Sequence, residues 1–121
     1  MTHFKSKLEA TFHSTYKLDY EVTVLPYTIP ESSHRYTPDF KVSDTCYIET
    51  KGKLDLADRS KMLLVKEQHP GIIFCMVFQR NYSLGKRLGT CVQWAHKNGF
   101  PAFVVTDTVG IAEFIKDHEN D

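Results

Sequence analysis

The stretch Pro38-Asp39-Phe40-Lys41-Val42-Ser43-Asp44-Thr45-Cys46-Tyr47-Ile48-Glu49-Thr50-Lys51 decides how the rest of the chain is read. Phe40-Lys41-Val42 and Cys46 to Thr50 carry branched and aromatic residues that favour strands, and Ser43-Asp44-Thr45 between them are turn formers. The pattern predicts a β-hairpin. Side chains alternate along a strand, so Glu49 and Lys51 project from one face about 7 Å apart. The placing of Asp39 depends on the turn. A two-residue turn at Ser43-Asp44 would pair Asp39 with Ile48 and send it to the other face, whereas an odd loop centred on Asp44, or an equivalent bulge, sets it opposite Glu49. We expect the odd loop or the bulge, with Pro38 confining the entry to Asp39.

Upstream, Phe4, Leu8 and Phe12 recur every four residues, which predicts a helix behind a Thr2 cap ending near Thr15. Tyr20, Val22 and Val24 alternate with polar residues as a strand would, and Pro26 and Pro30 then suit a long, partly unpaired arm. Downstream, Asp55 caps a helix from Leu56 to about His69, stopped by Pro70-Gly71, with Leu56, Leu63 and Leu64 among its apolar positions. Ile72 to Phe78 is too short and too branched for a helix and reads as a buried central strand. A helix from about Thr90 should end at Asn98-Gly99 with Trp94 in its core face, Phe103-Val104-Val105 should be a strand, and Ile111, Phe114 and Ile115 should line a last helix. The expected order is helix, three strands, helix, strand, helix, strand, helix. It suits an α/β fold, a mixed sheet flanked by helices, in one domain spanning residues 1–121.

The 121 residues are enough for one core and too few for two. No apolar run is long enough to span a bilayer, and the N-terminus lacks the apolar segment of a secretory signal, so a cytoplasmic protein is expected. Cys46, Cys75 and Cys91 are odd in number and embedded in apolar runs, as buried free thiols are. The six histidines show no metal-ligand spacing. A net charge of zero hides an uneven distribution: between Thr50 and Phe100 nine cations face three anions, while from Asp107 onward five acids face Lys116 alone.

Two converging carboxylates and a lysine have a specific chemical use. Hard oxygen donors suit Mg²⁺ or Mn²⁺, which can activate water and neutralise a leaving oxygen in phosphodiester hydrolysis, and the lysine adds a movable positive charge. The same three residues on a surface hairpin would make a plain cross-strand ion pair.

The wider text narrows this choice. Tyr27-Thr28-Ile29-Pro30, His34-Arg35-Tyr36-Thr37-Pro38-Asp39-Phe40, Ile48-Glu49-Thr50-Lys51-Gly52 and Glu67-Gln68-His69-Pro70, in this order, resemble endonuclease I of the T-odd podophages from about Leu8 to about Lys116. The resemblance implies a restriction-endonuclease-like PD-(D/E)xK fold and Mg²⁺-dependent resolution of four-way (Holliday) junctions, leaving 5′-phosphate and 3′-hydroxyl ends. It implies one or two metal ions held by Asp39, Glu49, Glu9 and the Thr50 carbonyl, with Mn²⁺ able to substitute and no organic cofactor. Lys51 takes the place of the motif lysine. It further implies a domain-swapped homodimer in which about residues 1–30 cross over, so that Glu9 of one chain would join Asp39, Glu49 and Lys51 of the other. The two prolines would stiffen that crossing segment and discourage it from folding back.

Arg35, Lys53, Arg59, Lys61, Lys66, Arg80, Lys86 and Arg87 are the candidates for gripping a DNA backbone. The basic N-terminal arm of the family is reduced here to Lys5 and Lys7, and Asp117-His118-Glu119-Asn120-Asp121 stands where a basic tail is expected. Fewer phosphate contacts imply weaker, less junction-selective binding. A nicking, mismatch or restriction-type endonuclease of the same fold is one alternative, and a non-catalytic junction-binding module is another.

Overall fold

The computed structural model describes residues 3–29 and 32–121. Helix α1 (Lys7–Tyr16) leads into strands β1 (Asp19–Tyr20), β2 (Leu25–Ile29), β3 (Ser32–Tyr36), β4 (Phe40–Ser43) and β5 (Cys46–Lys51). Helix α2 (Leu56–Gln68), strand β6 (Ile73–Phe78), helix α3 (Cys91–Lys97), strand β7 (Ala102–Val104) and helix α4 (Thr108–His118) follow. A five-stranded sheet runs β1-β4-β5-β6-β7, and β2 and β3 form a separate antiparallel pair. The β1-β4 and β4-β5 ladders are antiparallel, and β5-β6 and β6-β7 are parallel. The expected mixed sheet is therefore present, with α2 filling the crossover between the parallel strands β5 and β6.

Strand alternation divides the core between the two sheet faces. Tyr47, Phe74, Met76 and Phe78 pack with Met62 and Val65 of α2 and Trp94 of α3. Cys46, Ile48, Cys75 and Val77 face the other way, onto Phe12 of α1 and Ile111 and Phe114 of α4. Because β6 is covered on both sides, it has no polar face to show, and its continuous apolar run follows. All three cysteines are buried and free.

The β4-β5 hairpin combines a short turn with a bulge. Ser43 pairs with Cys46 around a two-residue turn at Asp44-Thr45, but Lys41 pairs with Tyr47 and Phe40 with Ile48, so the register slips by one between Lys41 and Ser43. Carried one step further, this register sets Asp39 opposite Glu49. The parity requirement is met by the bulge, not by an odd loop.

Four local expectations are corrected. Thr2 lies outside the described residues, and Ser6 caps α1 by accepting from the Glu9 N–H. Tyr20 to Val24 do not continue as one strand: Glu21 takes a left-handed conformation (φ 48°), its N–H goes to the Asp39 carbonyl at 2.8 Å, and Val22 and Val24 are 58% and 53% exposed. Of the three alternating positions only Tyr20 packs inward, against Phe40. The Pro26 arm is not unpaired, because Leu25–Ile29 lies against Ser32–Tyr36 over five residue pairs. That partner strand escaped prediction because four of its five residues are exposed, so it carries no apolar alternation. In α2 the buried positions are Met62 and Val65, while Leu56 and Leu63 face solvent.

Helix α1 is fastened to the sheet chiefly through Phe12, 1% exposed, whose ring lies 4.9 Å from that of Phe40. Replacing it with alanine should cost about 3 kcal/mol or more in urea unfolding, as deletions of buried aromatic rings do. A loss below about 1 kcal/mol would show that α1 is not packed in this way.

Candidate active site

One polar cavity opens at the end of the sheet where β4 begins and β5 ends. Its walls include Glu9, Asp39, Glu49, Thr50 and Lys51, with Lys5, Arg35 and Lys61 among the cationic residues around them. Each acid arrives by a different route. Glu9 is in the first turn of α1, Asp39 immediately precedes β4, and Glu49 lies within β5. All three are buried, at 7%, 8% and 6% exposure.

The surrounding donors hold these carboxylates in defined orientations. Asp39 Oδ2 accepts from both the Thr50 N–H at 2.9 Å and the Thr50 hydroxyl at 2.8 Å, and no protein donor among the described residues reaches Oδ1. Glu9 Oε2 accepts from the Tyr20 hydroxyl at 2.8 Å. Glu49 Oε1 accepts from the Tyr36 hydroxyl at 2.7 Å, and its Oε2 lies 3.4 Å from Lys51 Nζ. Lys51 in turn lies 3.1 Å from Asp58 Oδ1. Asp58 is also the third residue of α2 and closes the capping box with Asp55, so the start of α2 fixes the lysine's outer partner.

The electrostatics follow from burial and like charge. Burial first, and then the charge of Glu49, push the Asp39 carboxyl up to about 8 against the two Thr50 hydrogen bonds. Burial also raises Glu49, with Lys51 and Tyr36 opposing it. Burial pulls the Lys51 ammonium down, but Glu49 and Asp58 outweigh it and leave the group above its ordinary value. The Tyr36 phenol is held well above its usual range by burial and by the Glu49 charge, so it is the donor in its bond to Glu49.

Of the residues expected from the sequence, Glu9, Asp39, Glu49, Thr50, Lys51, Arg35 and Lys61 come together at this cavity. Glu9 reaches it within the same chain. Lys53 and Arg80 line neighbouring depressions beyond the ends of β5 and β6. Arg59 is engaged elsewhere, donating to the Leu54 carbonyl at 2.7 Å, and Lys66 lies over the Phe100 ring at 5.9 Å. Lys86 and Arg87 are exposed on the loop before α3.

Several contributors were not legible beforehand. One ligand atom each from Glu9, Glu21 and Asp39 lies within 4.8 Å of the others, and Lys5 Nζ pairs with Glu21 at 3.1 Å. Glu21 sat in what reads as a plain alternating strand, and only its left-handed backbone turns it inward. Tyr36 and Asp58 carry no spacing signal. The Asp55-x-x-Asp58 cap could have been read, but not its contact with Lys51.

With this geometry in place, the comparison with known proteins is decisive: a family model described as phage endonuclease I matches residues 2–120. The chain belongs to the phage endonuclease I family. It is 47% identical over 85 residues to "Endodeoxyribonuclease 1" of Enterobacteria phage T3, an alignment covering 69% of this chain and 56% of that protein. It is 47% identical over 62 residues to "Endonuclease I" of Escherichia phage T7, covering 51% of this chain and 42% of that protein. The chain thus spans about half the length of these phage endonuclease I relatives.

The raised Asp39 carboxyl has a consequence for stability. The folded protein keeps a proton that the unfolded chain releases near its ordinary value of 3.8, so the metal-free fold loses stability as pH rises from about 4 to about 8. Asp39→Asn removes this penalty. Its metal-free melting temperature should exceed that of wild type by about 4 °C or more at pH 8, with a smaller gap at pH 5. A gap that is absent, or that grows toward acid, would contradict the assignment.

Proposed function

We propose that this protein is a divalent-metal-dependent DNA endonuclease of the restriction-endonuclease-like PD-(D/E)xK type, cleaving phosphodiesters in branched DNA, four-way junctions included. The observation that carries the reading is the convergence of Glu9, Asp39, Glu49 and Lys51 on one cavity edged by cations. Membership of the phage endonuclease I family and the T3 and T7 relatives' names support it.

The donor set fits a hard cation. Carboxylate oxygens are what Mg²⁺ and Mn²⁺ take, and a cation would offset the burial and the repulsion from Glu49 that together raise Asp39. Asp39, Glu49, Glu9 and the Thr50 carbonyl are the groups that would hold one or two ions, and no organic cofactor is called for. A bound ion supplies polarisation of the phosphoryl oxygen and a lowered pKa for the attacking water.

The chain's own residues supply the rest. Asp39, which lines the cavity, is fixed through Oδ2 by its two bonds from Thr50, and no protein donor among the described residues occupies its Oδ1. Lys51, braced between Glu49 and Asp58, brings a positive charge to the water or to the charge developing on the phosphorus centre. Arg35, Lys61 and Lys5 on the cavity walls, with Lys53 and Arg80 beyond them, offer contacts for flanking phosphates. The ends left would be a 5′-phosphate and a 3′-hydroxyl, and for a phage enzyme the setting would be the host cytoplasm.

Paired cuts across a junction need two such sites, and a homodimer provides them. Because Glu9 reaches the cavity within one chain, exchange of about residues 1–30 is not needed to complete a site, although the dimer could still exchange them. Light scattering on a sizing column should give a mass of twice 14.0 kDa. A monomer that still resolves junctions would remove the dimer from this proposal.

Glu49→Ala should abolish Mg²⁺-dependent cleavage while leaving DNA binding unchanged or stronger, because a phosphate-repelling charge is lost. Retained cutting would sink the assignment of Glu49 to the active site, and wild-type binding without cutting would favour a junction-binding module. Competition at stated salt between a four-way junction and a linear duplex of equal length should favour the junction. Equal cleavage of both would point to a nicking or restriction-type target.

A further inference from the structure

Tyr36 ends β3 and pairs with Leu25 across the two-stranded hairpin. It is 3% exposed, and its hydroxyl is spent on one atom, Glu49 Oε1, at 2.7 Å. Its ring lies 6.1 Å from that of Phe74 and carries Lys61 Nζ 5.3 Å from its centre. The other oxygen of Glu49 faces Lys51. The β5 backbone sets only where the Glu49 side chain starts, so the direction of its carboxylate depends on Tyr36 and Lys51 together.

The hairpin that delivers Tyr36 is itself clamped to α2. The Gln68 side chain accepts from the Thr28 N–H and donates to the Thr28 carbonyl, both at 2.6 Å, as a neighbouring strand would. His69 Nε2 lies 2.6 Å from the Pro26 carbonyl. Pro26 has no N–H to give, and this carbonyl bond is the link it can still make.

We propose that Tyr36 is a positioning residue for Glu49. By holding Oε1 it aims Oε2, the oxygen beside Lys51, into the cavity, so that docking of the β2-β3 hairpin on α2 sets the readiness of the site for a cation. The inference rests on the metal-dependent reading above and adds to it a residue of the cavity wall that acts through Glu49. Groups that orient a metal ligand typically change metal affinity by about 10–100-fold when removed.

Tyr36→Phe isolates the hydroxyl, because the ring keeps its contacts with Phe74 and Lys61. Mn²⁺ affinity of the DNA-free protein, measured by calorimetry, should fall about tenfold or more. The Mg²⁺ concentration giving half-maximal cleavage should rise in step, with the rate recovering at high Mg²⁺. A merely structural role would lower the melting temperature and move neither midpoint, so a folded Y36F with wild-type Mn²⁺ affinity overturns the proposal. If Y36F does not fold, Gln68→Ala carries the test, since it cuts only the exposed clamp: weakened Mn²⁺ binding supports the coupling and unchanged binding overturns it. Wild-type protein that neither binds Mn²⁺ nor cuts DNA would remove the nuclease reading, and this inference with it.

Discussion

Three carboxylates taken out of bulk water around one cavity desolvate and repel each other, and the surrounding structure is arranged to tolerate that cost. Asp39 leans on both polar hydrogens of Thr50, Glu9 on Tyr20, and Glu49 on Tyr36 and Lys51. These partners do not neutralise the cluster: burial and the charge of Glu49 still lift Asp39 far above an ordinary carboxyl. A protein selected for stability alone would replace such groups with apolar ones. Their retention is understandable if a cation supplies the compensating charge and if the arrangement is selected for its chemistry.

The fold supplies the convergence by bringing three separately anchored elements to one end of the sheet. The bulge after Lys41 lets a short turn coexist with the parity that sets Asp39 opposite Glu49. Phe12 seats α1 on the Phe40 face and so carries Glu9 to the cavity. From the opposite face, α2 contributes Asp58 to Lys51 and clamps the hairpin that carries Tyr36. Local changes in any of these elements should therefore be felt at the same few oxygen atoms.

Much of this was legible from the residues. The buried strand Ile73–Phe78, the Asp55 cap, the helix start near Thr90 and the stop before Gly99 all carry strong local signals, and all appear where expected within a residue or two. Strand parity reduced the pairing of Asp39 with Glu49 to one condition, an odd loop or a bulge between them, and the bulge meets it. What escaped has physical reasons. Ser32–Tyr36 is a strand held by backbone pairing with β2, which is itself clamped to α2, and it has no apolar alternation to announce it. Val22 and Val24 mimic strand alternation while lying on the surface. Glu21 enters the cluster through a left-handed turn that no residue type at that position signals. Glu9 could be singled out only through resemblance, because its place beside Asp39 depends on tertiary packing.

The central claim is that these oxygens form a metal-holding site, and locating an ion tests it most directly. In crystals grown with Mn²⁺, anomalous scattering at the manganese edge should place an ion within about 2.3 Å of oxygens from both Asp39 and Glu49. Mn²⁺ absent from that cavity at saturating concentration, with the Asp39 and Glu49 carboxylates still bonded as in the metal-free protein, would contradict the account.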